Sequence, residues 1–135
     1  DGTVILADTK NIDSSVTTAT NNTGTLSLEG SSTVIGQVGA SGASLKEINA
    51  GVAGTTSTFN SNVYATNLDV EGTGTVNLDG KFTGTAVRYN ADGTVILADT
   101  KNIDSSVTTT TNNTGILSLE GSSTVTGQVE MQQIN

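Results

Sequence analysis

The chain has 135 residues and a formal net charge of −8, with 13 Asp and Glu against 5 Lys and Arg, and no His, Cys, Pro or Trp. Without Cys and His, disulfides, thiolate nucleophiles, zinc fingers and imidazole bases are excluded. Because the five cations are scattered, nucleic acid and anionic membranes are not expected as partners, and no apolar run is long enough for a membrane helix.

The composition favours β-structure. Thr, a β-branched strand former, is the most frequent residue type, whereas Pro is absent. Hydrophobic residues make up 33% of the chain and charged residues only 13%, so the combination of low hydrophobicity and high charge that produces disorder is not met. We therefore expect a single β-rich domain spanning residues 1–135, typical of an extracellular scaffold.

Residues 1–38 contain two phrases in which a glycine is followed by alternating apolar positions, starting at Gly2 and Gly24. Alternation with a period of two predicts short strands with one buried face. Each phrase is followed by a turn-like cluster, such as the Ala-Asp-Thr of residues 7–9, and then by a second apolar set. This segment therefore predicts a series of short strands joined by tight turns.

The middle of the chain begins with residues 39–43, whose Gly, Ala and Ser content predicts a loop. Two structures then fit the next residues. Leu45 and Ile48 are three apart, as in a helical turn, whereas Ile48 and Ala50 begin an alternation typical of a strand. The strand is the favoured interpretation.

Residues 92–129 repeat residues 1–38 at an offset of 91, with 35 of 38 positions identical. Identity this high indicates either a recent duplication or deliberate design. The three differences are Ala19/Thr110, Thr25/Ile116 and Ile35/Thr126. The last two exchange β-branched residues of opposite polarity, which a closed core would resist, so we expect these positions on an outward, half-exposed strand face.

A shorter unit lies inside this repeat. The glycine phrases begin at Gly2, Gly24, Gly54, Gly74, Gly93 and Gly115. The differences between successive starting positions are 22, 30, 20, 19 and 22. The first four add up to the repeat offset of 91, which predicts a whole number of units per repeat. Units of about 20 residues predict an all-β parallel β-solenoid of about six coils and roughly 25–30 Å length.

A β-sandwich is the alternative fold. Asp79-Gly80 and Asp92-Gly93 could form its hairpin turns. Strands of a sandwich usually recur every 8–12 residues or so, however, which is shorter than the observed units.

Three acidic pairs are candidates for carboxylate chemistry, because glycosidases use two carboxylates and calcium prefers oxygen ligands. They are Asp8 with Asp13, Asp69 with Glu71, and Asp99 with Asp104. The first pair recurs as the third, whereas an active site is usually single, so carboxylates that cap strand ends and keep the rod soluble are the favoured interpretation. No calcium-loop or nucleotide-loop motif occurs, and no catalytic, cofactor-binding, metal-binding or partner-binding residue is assigned.

Other polar patterns predict surface contacts. Lys10 and Lys101 are expected to pair with the aspartates that flank them. Thr-x-Thr pairs recur at irregular spacing, which argues against a flat ice-binding ladder and favours strand propensity with hydroxyl hydrogen bonds along stacked coils. The Asn pairs at 21–22 and 112–113 are expected to form amide ladders at the turns.

Several phrases together resemble passenger segments of bacterial autotransporter surface proteins, and they look most like the large outer-membrane surface antigens of rickettsiae. These phrases are GTVNLDG, TGTAV, NNTGTLSLEGSSTV with GQVG shortly after it, SLKEINAG and NVYATNLDV. The resemblance covers roughly residues 1–129 and implies a right-handed parallel β-helix, displayed outside the cell for adhesion or surface coating. Residues 130–135, EMQQIN, depart from the repeat where the first copy continues GASGAS, which indicates either an artificial end or a junction. A first residue of Asp1 is expected of a mature product or an excised fragment.

Three classes of function follow. The favoured one is a non-enzymatic structural and binding segment of an exported bacterial surface protein, an adhesin or surface coat, with a host-cell or matrix protein or glycan as partner. The second is a self-assembling extracellular filament subunit whose open coil ends associate end to end. The third and most remote is a polysaccharide-acting β-helix enzyme, whose unrepeated cleft would lie in residues 39–91. No cofactor is expected.

Overall fold

The computed structural model describes residues 1–131, and this part of the chain consists of short β-strands without a helix. The strands are β1 (Thr3–Leu6), β2 (Asn11–Ile12), β3 (Thr23–Leu28), β4 (Ser32–Val34), β5 (Leu45–Ala50), β6 (Thr56–Phe59), β7 (Val63–Val70), β8 (Thr75–Leu78), β9 (Phe82–Tyr89), β10 (Thr94–Leu97), β11 (Asn102–Thr109), β12 (Ile116–Leu119), β13 (Thr124–Val125) and β14 (Val129–Glu130). The favoured strand at Leu45 is confirmed as β5. The predicted loop is a tight turn closed by two hydrogen bonds between Ala40 and Ala43. Of the EMQQIN tail, residues 132–135 lie outside the described part, so the predicted artificial end or junction stays a prediction.

The strands form two parallel sheets. The first has the order β1-β3-β5-β7-β9-β11-β13, with β14 also paired to β11, and the second has the order β12-β10-β8-β6-β4-β2. Because all pairings between these strands are parallel, the chain winds from sheet to sheet as a β-solenoid of about six coils. The predicted all-β parallel solenoid is confirmed. The sandwich alternative is wrong, since its hairpins would make neighbouring strands antiparallel.

The inward positions of a coil form three pairs that are mostly apolar, with the buried Ser32, Ser57 and Ser105 as exceptions. In a central coil these pairs, none more than 1% exposed, are Val63 with Ala65, Leu68 with Val70, and Val76 with Leu78. The alternation of inward and outward side chains is interrupted between the first two pairs, where Thr66 and Asn67 are both half-buried. The two halves of β7 therefore belong to two different faces of the coil. Parallel pairing stacks each inward side chain on its equivalent in the next coil. Fully burying one aliphatic side chain is worth about 1.5–3 kcal/mol, so these columns are the main source of stability.

Gly84 marks a point where successive coils approach closely. A Cβ placed on Gly84 would lie 1.8 Å from the carbonyl oxygen of Ala65 in the preceding coil. No side chain tolerates that separation, so β9 can follow β7 around the coil only with glycine at this position.

The two copies of the long repeat lie on different faces of the solenoid. The register partners of Thr3, followed from coil to coil, lead through three intervening coils to Ala86. Ala86 therefore lies four coils further along the same sheet. The repeat counterpart of Thr3 is Thr94, which lies further along the chain than Ala86 and belongs to β10 in the second sheet. The repeat offset of 91 residues therefore corresponds to four coils plus one further face of the solenoid. The prediction that the long repeat contains a whole number of units is wrong.

The reason is that the coils differ in length. The sequence offset between register partners is 22 for β1 with β3, 19 for β8 with β10, and 25 for β4 with β6. The spacing of 30 after Gly24 is not one long unit either, since β3 pairs with β5 at an offset of 22. A glycine phrase thus marks the start of a strand but not a particular face.

The positions that differ in polarity between the two copies face outward, as predicted. Ile35, Ile116 and Thr126 are exposed, and Thr25 is half-buried. Leu26, which follows Thr25, points inward, as does the residue after Ile116. Either polarity is therefore accepted at these sites without leaving a buried hydroxyl.

Candidate functional site

A cluster of charged side chains lies on the outer face of the first sheet. Asn49 of β5, Asp69 of β7 and Arg88 of β9 are aligned in register, one in each coil. Arg88 donates two hydrogen bonds to the carboxylate of Asp69, from Nε to Oδ1 at 2.6 Å and from Nη2 to Oδ2 at 2.7 Å. Asp69 is only 3% exposed, so this bidentate pair replaces the water that the carboxylate loses on burial.

Two glutamates complete the cluster. Carboxylate oxygens of Glu47, Asp69 and Glu71 lie within 4.8 Å of one another, and Asn90 donates to Glu71 at 3.4 Å. The pKa of Arg88 is raised, chiefly by its hydrogen bonds to Asp69 and against the opposing effect of burial. Asp69 and Glu71 are one of the predicted acidic pairs, and the structure brings them together. Glu47 was missed, because only the pairing of β5 with β7 places it there.

The chemistry of this cluster is that of an ion-pair network. Both oxygens of Asp69 accept hydrogen bonds from Arg88, so the buried carboxylate is directed at the guanidinium group of the neighbouring strand. The network ties β7 to β9 and leaves Glu71 exposed on the surface.

Turn aspartates form bridges between coils. Oδ1 of Asp8 accepts a hydrogen bond from the amide of Ser31 at 2.7 Å, and Asp99 makes the same contact with Ser122 at 2.7 Å. In both cases the donor lies 23 residues after the acceptor, so each carboxylate caps an amide of the next coil. Asp8 and Asp99 thus have the capping role favoured from their repetition. Asp104 contacts the side chains of Lys81 and Thr126 instead.

The ion pairs differ from those predicted. Lys81 Nζ lies 2.5 Å from Oδ2 of Asp104. This contact lowers the pKa of Asp104, with a further contribution from Thr126, and raises the pKa of Lys81. Within residues 1–131, neither Lys10 nor Lys101 lies within salt-bridge distance of a carboxylate, so their predicted pairings are wrong. The aspartate two residues before each lysine is directed at the next coil instead.

Threonine hydroxyls form hydrogen bonds both within a turn and between coils. The Oγ1 atoms of Thr18 and Thr23, at opposite ends of one turn, lie 2.5 Å apart. Between coils, Thr124 Oγ1 donates to Asn102 Oδ1 at 2.5 Å. The expected bonds along stacked coils are therefore present, and the Thr-rich turns add a second type that the sequence pattern did not indicate.

The predicted asparagine ladders are wrong. Asn21 Oδ1 accepts a hydrogen bond from the amide of Ser44 at 2.9 Å, and Asn22 Oδ1 accepts one from Thr66 Oγ1 at 2.7 Å. The Asn pair of the second repeat lies more than four coils away and on another face, so the two pairs cannot stack.

No family model, curated protein or solved structure matches the chain. Among residues 1–131, no helix is long and apolar enough to cross a membrane.

Proposed function

We propose that this chain is a non-enzymatic structural and binding segment of an exported bacterial surface protein, of the adhesin or surface-coat kind. One observation supports this assignment above all. Inward columns of apolar residues run through the coils, while the outward positions carry ladders of Thr, Asn and charged residues. Such a rod gains its stability from the interior and leaves its outer faces available for contacts. The resemblance to autotransporter passenger segments supports a location at the cell surface.

The outer face of the second sheet is the proposed contact surface. Thr33, Thr58 and Asn77 follow one another in register on β4, β6 and β8. A ladder of this kind presents similar polar groups about every 4.8 Å. A host-cell or matrix glycan, or an extended protein segment, can contact several coils at once, so weak contacts add through avidity.

Adhesion of coated beads to a mammalian epithelial monolayer tests this proposal. Beads carrying the chain should adhere more than beads carrying an equal mass of albumin, and adhesion should rise steeply when two copies are linked in tandem. Replacing the ladder by Thr33→Ala, Thr58→Ala and Asn77→Ala should lower adhesion.

A matched control changes three exposed residues outside the ladder: Ser41→Ala, Asn60→Ala and Thr73→Ala. Adhesion should be unchanged in this control. Adhesion no greater than that of albumin, for single and linked copies alike, would contradict the binding role.

A further inference from the structure

Within residues 1–131, the outermost strands of both sheets each have one edge without a partner strand. β1 and β2 form the edges at the first coil, and β12, β13 and β14 form those at the last coil. Val4 is 48% exposed at the first coil, whereas its repeat counterpart Val95, inside the rod, is 0% exposed. Leu119 at the last coil is 46% exposed, whereas Leu97, its partner one coil inward, is 0% exposed. In the described part of the chain, the apolar columns therefore finish in half-exposed side chains that lie beside unpaired strand edges.

The two end coils have matching spacings of inward residues. These residues are Val4, Ile12 and Val16 in the first coil, and Leu117, Val125 and Val129 in the last. The intervals are eight and four in both coils. The first coil of a second copy can therefore lie on the last coil of this one with the three inward positions and the two intervening turns aligned.

We propose that copies of this chain stack head to tail in this register, each turned by one face relative to the preceding copy. Inside the chain, β12 already pairs with β10, which places Val95 beside Leu117 and Leu97 beside Leu119. β1 has the same sequence as β10, TVIL. Across the proposed junction, β1 of the next copy covers the other edge of β12 and repeats the same residue pairs.

A recess in the first coil gives independent support. It has a volume of about 390 Å³, and its lining includes Val16, Thr18, Gly24 and Leu45. In the second repeat the counterpart of Gly24 is Gly115, and there the corresponding space is filled.

Tyr89 fills that space. Its ring carbon Cγ lies 2.6 Å from a Cβ placed on Gly115, and Tyr89 is the register partner of Thr109, the counterpart of Thr18. In the proposed register, Thr18 of the next copy faces Met131. Within one chain, Cε of Met131 lies 3.0 Å from a Cβ placed on Gly115, and the residue packs against the core. At the junction this flexible side chain lies between Gly115 and the recess of the next copy, which it fills as Tyr89 fills the corresponding space within one chain.

The charges at the junction are compatible with this register. In this register, the acidic residues of the first coil face uncharged residues of the last coil: Asp1 faces Thr114, Asp8 faces Gly121 and Asp13 faces Thr126. The acidic residues of the last coil likewise face uncharged residues: Glu120 faces Ala7 and Glu130 faces Thr17. Thus no acidic residue directly opposes another. The net charge of −8 still repels whole copies, so salt should favour stacking by screening this repulsion.

Engineered cysteines test the register, since the described residues contain no cysteine and the full sequence has none. Ile5→Cys with Ser118→Cys places one thiol at each end, facing each other across the proposed junction at roughly 4.8 Å between strands, which suits a disulfide. Ile5→Cys with Glu130→Cys matches stacking without the one-face turn. Both pairs lie on outward edge positions, so the core is preserved.

Mild oxidation in salt should give a ladder of covalent oligomers with the first pair and monomers with the second. A ladder with the second pair, or monomers with both, would overturn the proposal.

The role of Met131 is tested by sedimentation equilibrium. Met131→Asp should weaken association by at least about tenfold, because it places a charge in the recess. Ile35→Asp, which adds the same charge at an exposed position away from both ends, should leave association unchanged. Equal association of the two variants would overturn the proposed insertion. Neither experiment involves adhesion, so failure here leaves the proposed function to its own test.

Discussion

The phenol ring of Tyr89 is fully buried, and its hydroxyl donates a hydrogen bond to the carbonyl of Ile116 at 2.7 Å. Burial raises the pKa of Tyr89 above its usual value of about 10. The unfolded chain therefore loses this proton at a lower pH than the folded chain does. The stability due to neutral Tyr89 is present below about pH 10 and is lost as the pH rises above that value.

A Tyr64→Phe variant, which leaves Tyr89 as the only tyrosine, makes this effect visible. Ultraviolet titration should show phenolate forming only together with the loss of the β-sheet circular dichroism signal. A phenolate transition centred at about pH 10 while the fold stays intact would disprove the predicted coupling.

Arg88 protects a buried carboxylate. Arg88→Met leaves Asp69 without its two donors, and we expect it to lower the free energy of unfolding by about 2–3 kcal/mol in urea titrations. This is below the cost for a fully buried pair, because the Arg88 side chain is 37% exposed. Adding Asp69→Asn removes the uncompensated charge and should restore most of the loss. A double variant as unstable as Arg88→Met would contradict this interpretation.

At the level of the strands, the approach of β9 to β7 depends on Gly84. Gly84→Ala should lower the free energy of unfolding by about 2–3 kcal/mol, because its Cβ would collide with the Ala65 carbonyl group. Gly2→Ala is the matched control, since nothing lies within 4 Å of a Cβ at that position. Thermal melts of both variants measure the difference. Similar melting temperatures would show that the coils can separate at this point without cost.

The strands themselves were predictable from the sequence, because alternation in segments such as TVNL and TLSL directly reflects one buried face. The side-chain contacts between neighbouring strands were less predictable. Glu47 meets Asp69, and Lys81 meets Asp104, through the pairing of adjacent coils. Since the offset between register partners varies from coil to coil, a fixed unit length could not identify these contacts.

At the scale of the whole molecule, one sequence occupies two different environments. The TVIL strand is an exposed edge as β1 and an interior strand as β10, and the two lie in different sheets. The sequence predicted the parallel solenoid and its number of coils, because both depend on the average unit length. It did not predict the turn of one face between the copies, which depends on the sum of individual coil lengths.

The most direct test of the proposed head-to-tail stacking is negative-stain electron microscopy across a series of salt and protein concentrations. Stacking in the proposed register adds about 30 Å of length per copy, at roughly 4.8 Å per coil. We predict unbranched rods of constant width that lengthen in steps of this size as salt screens the charge of −8. Isolated particles about 30 Å long at every concentration and salt would contradict this account.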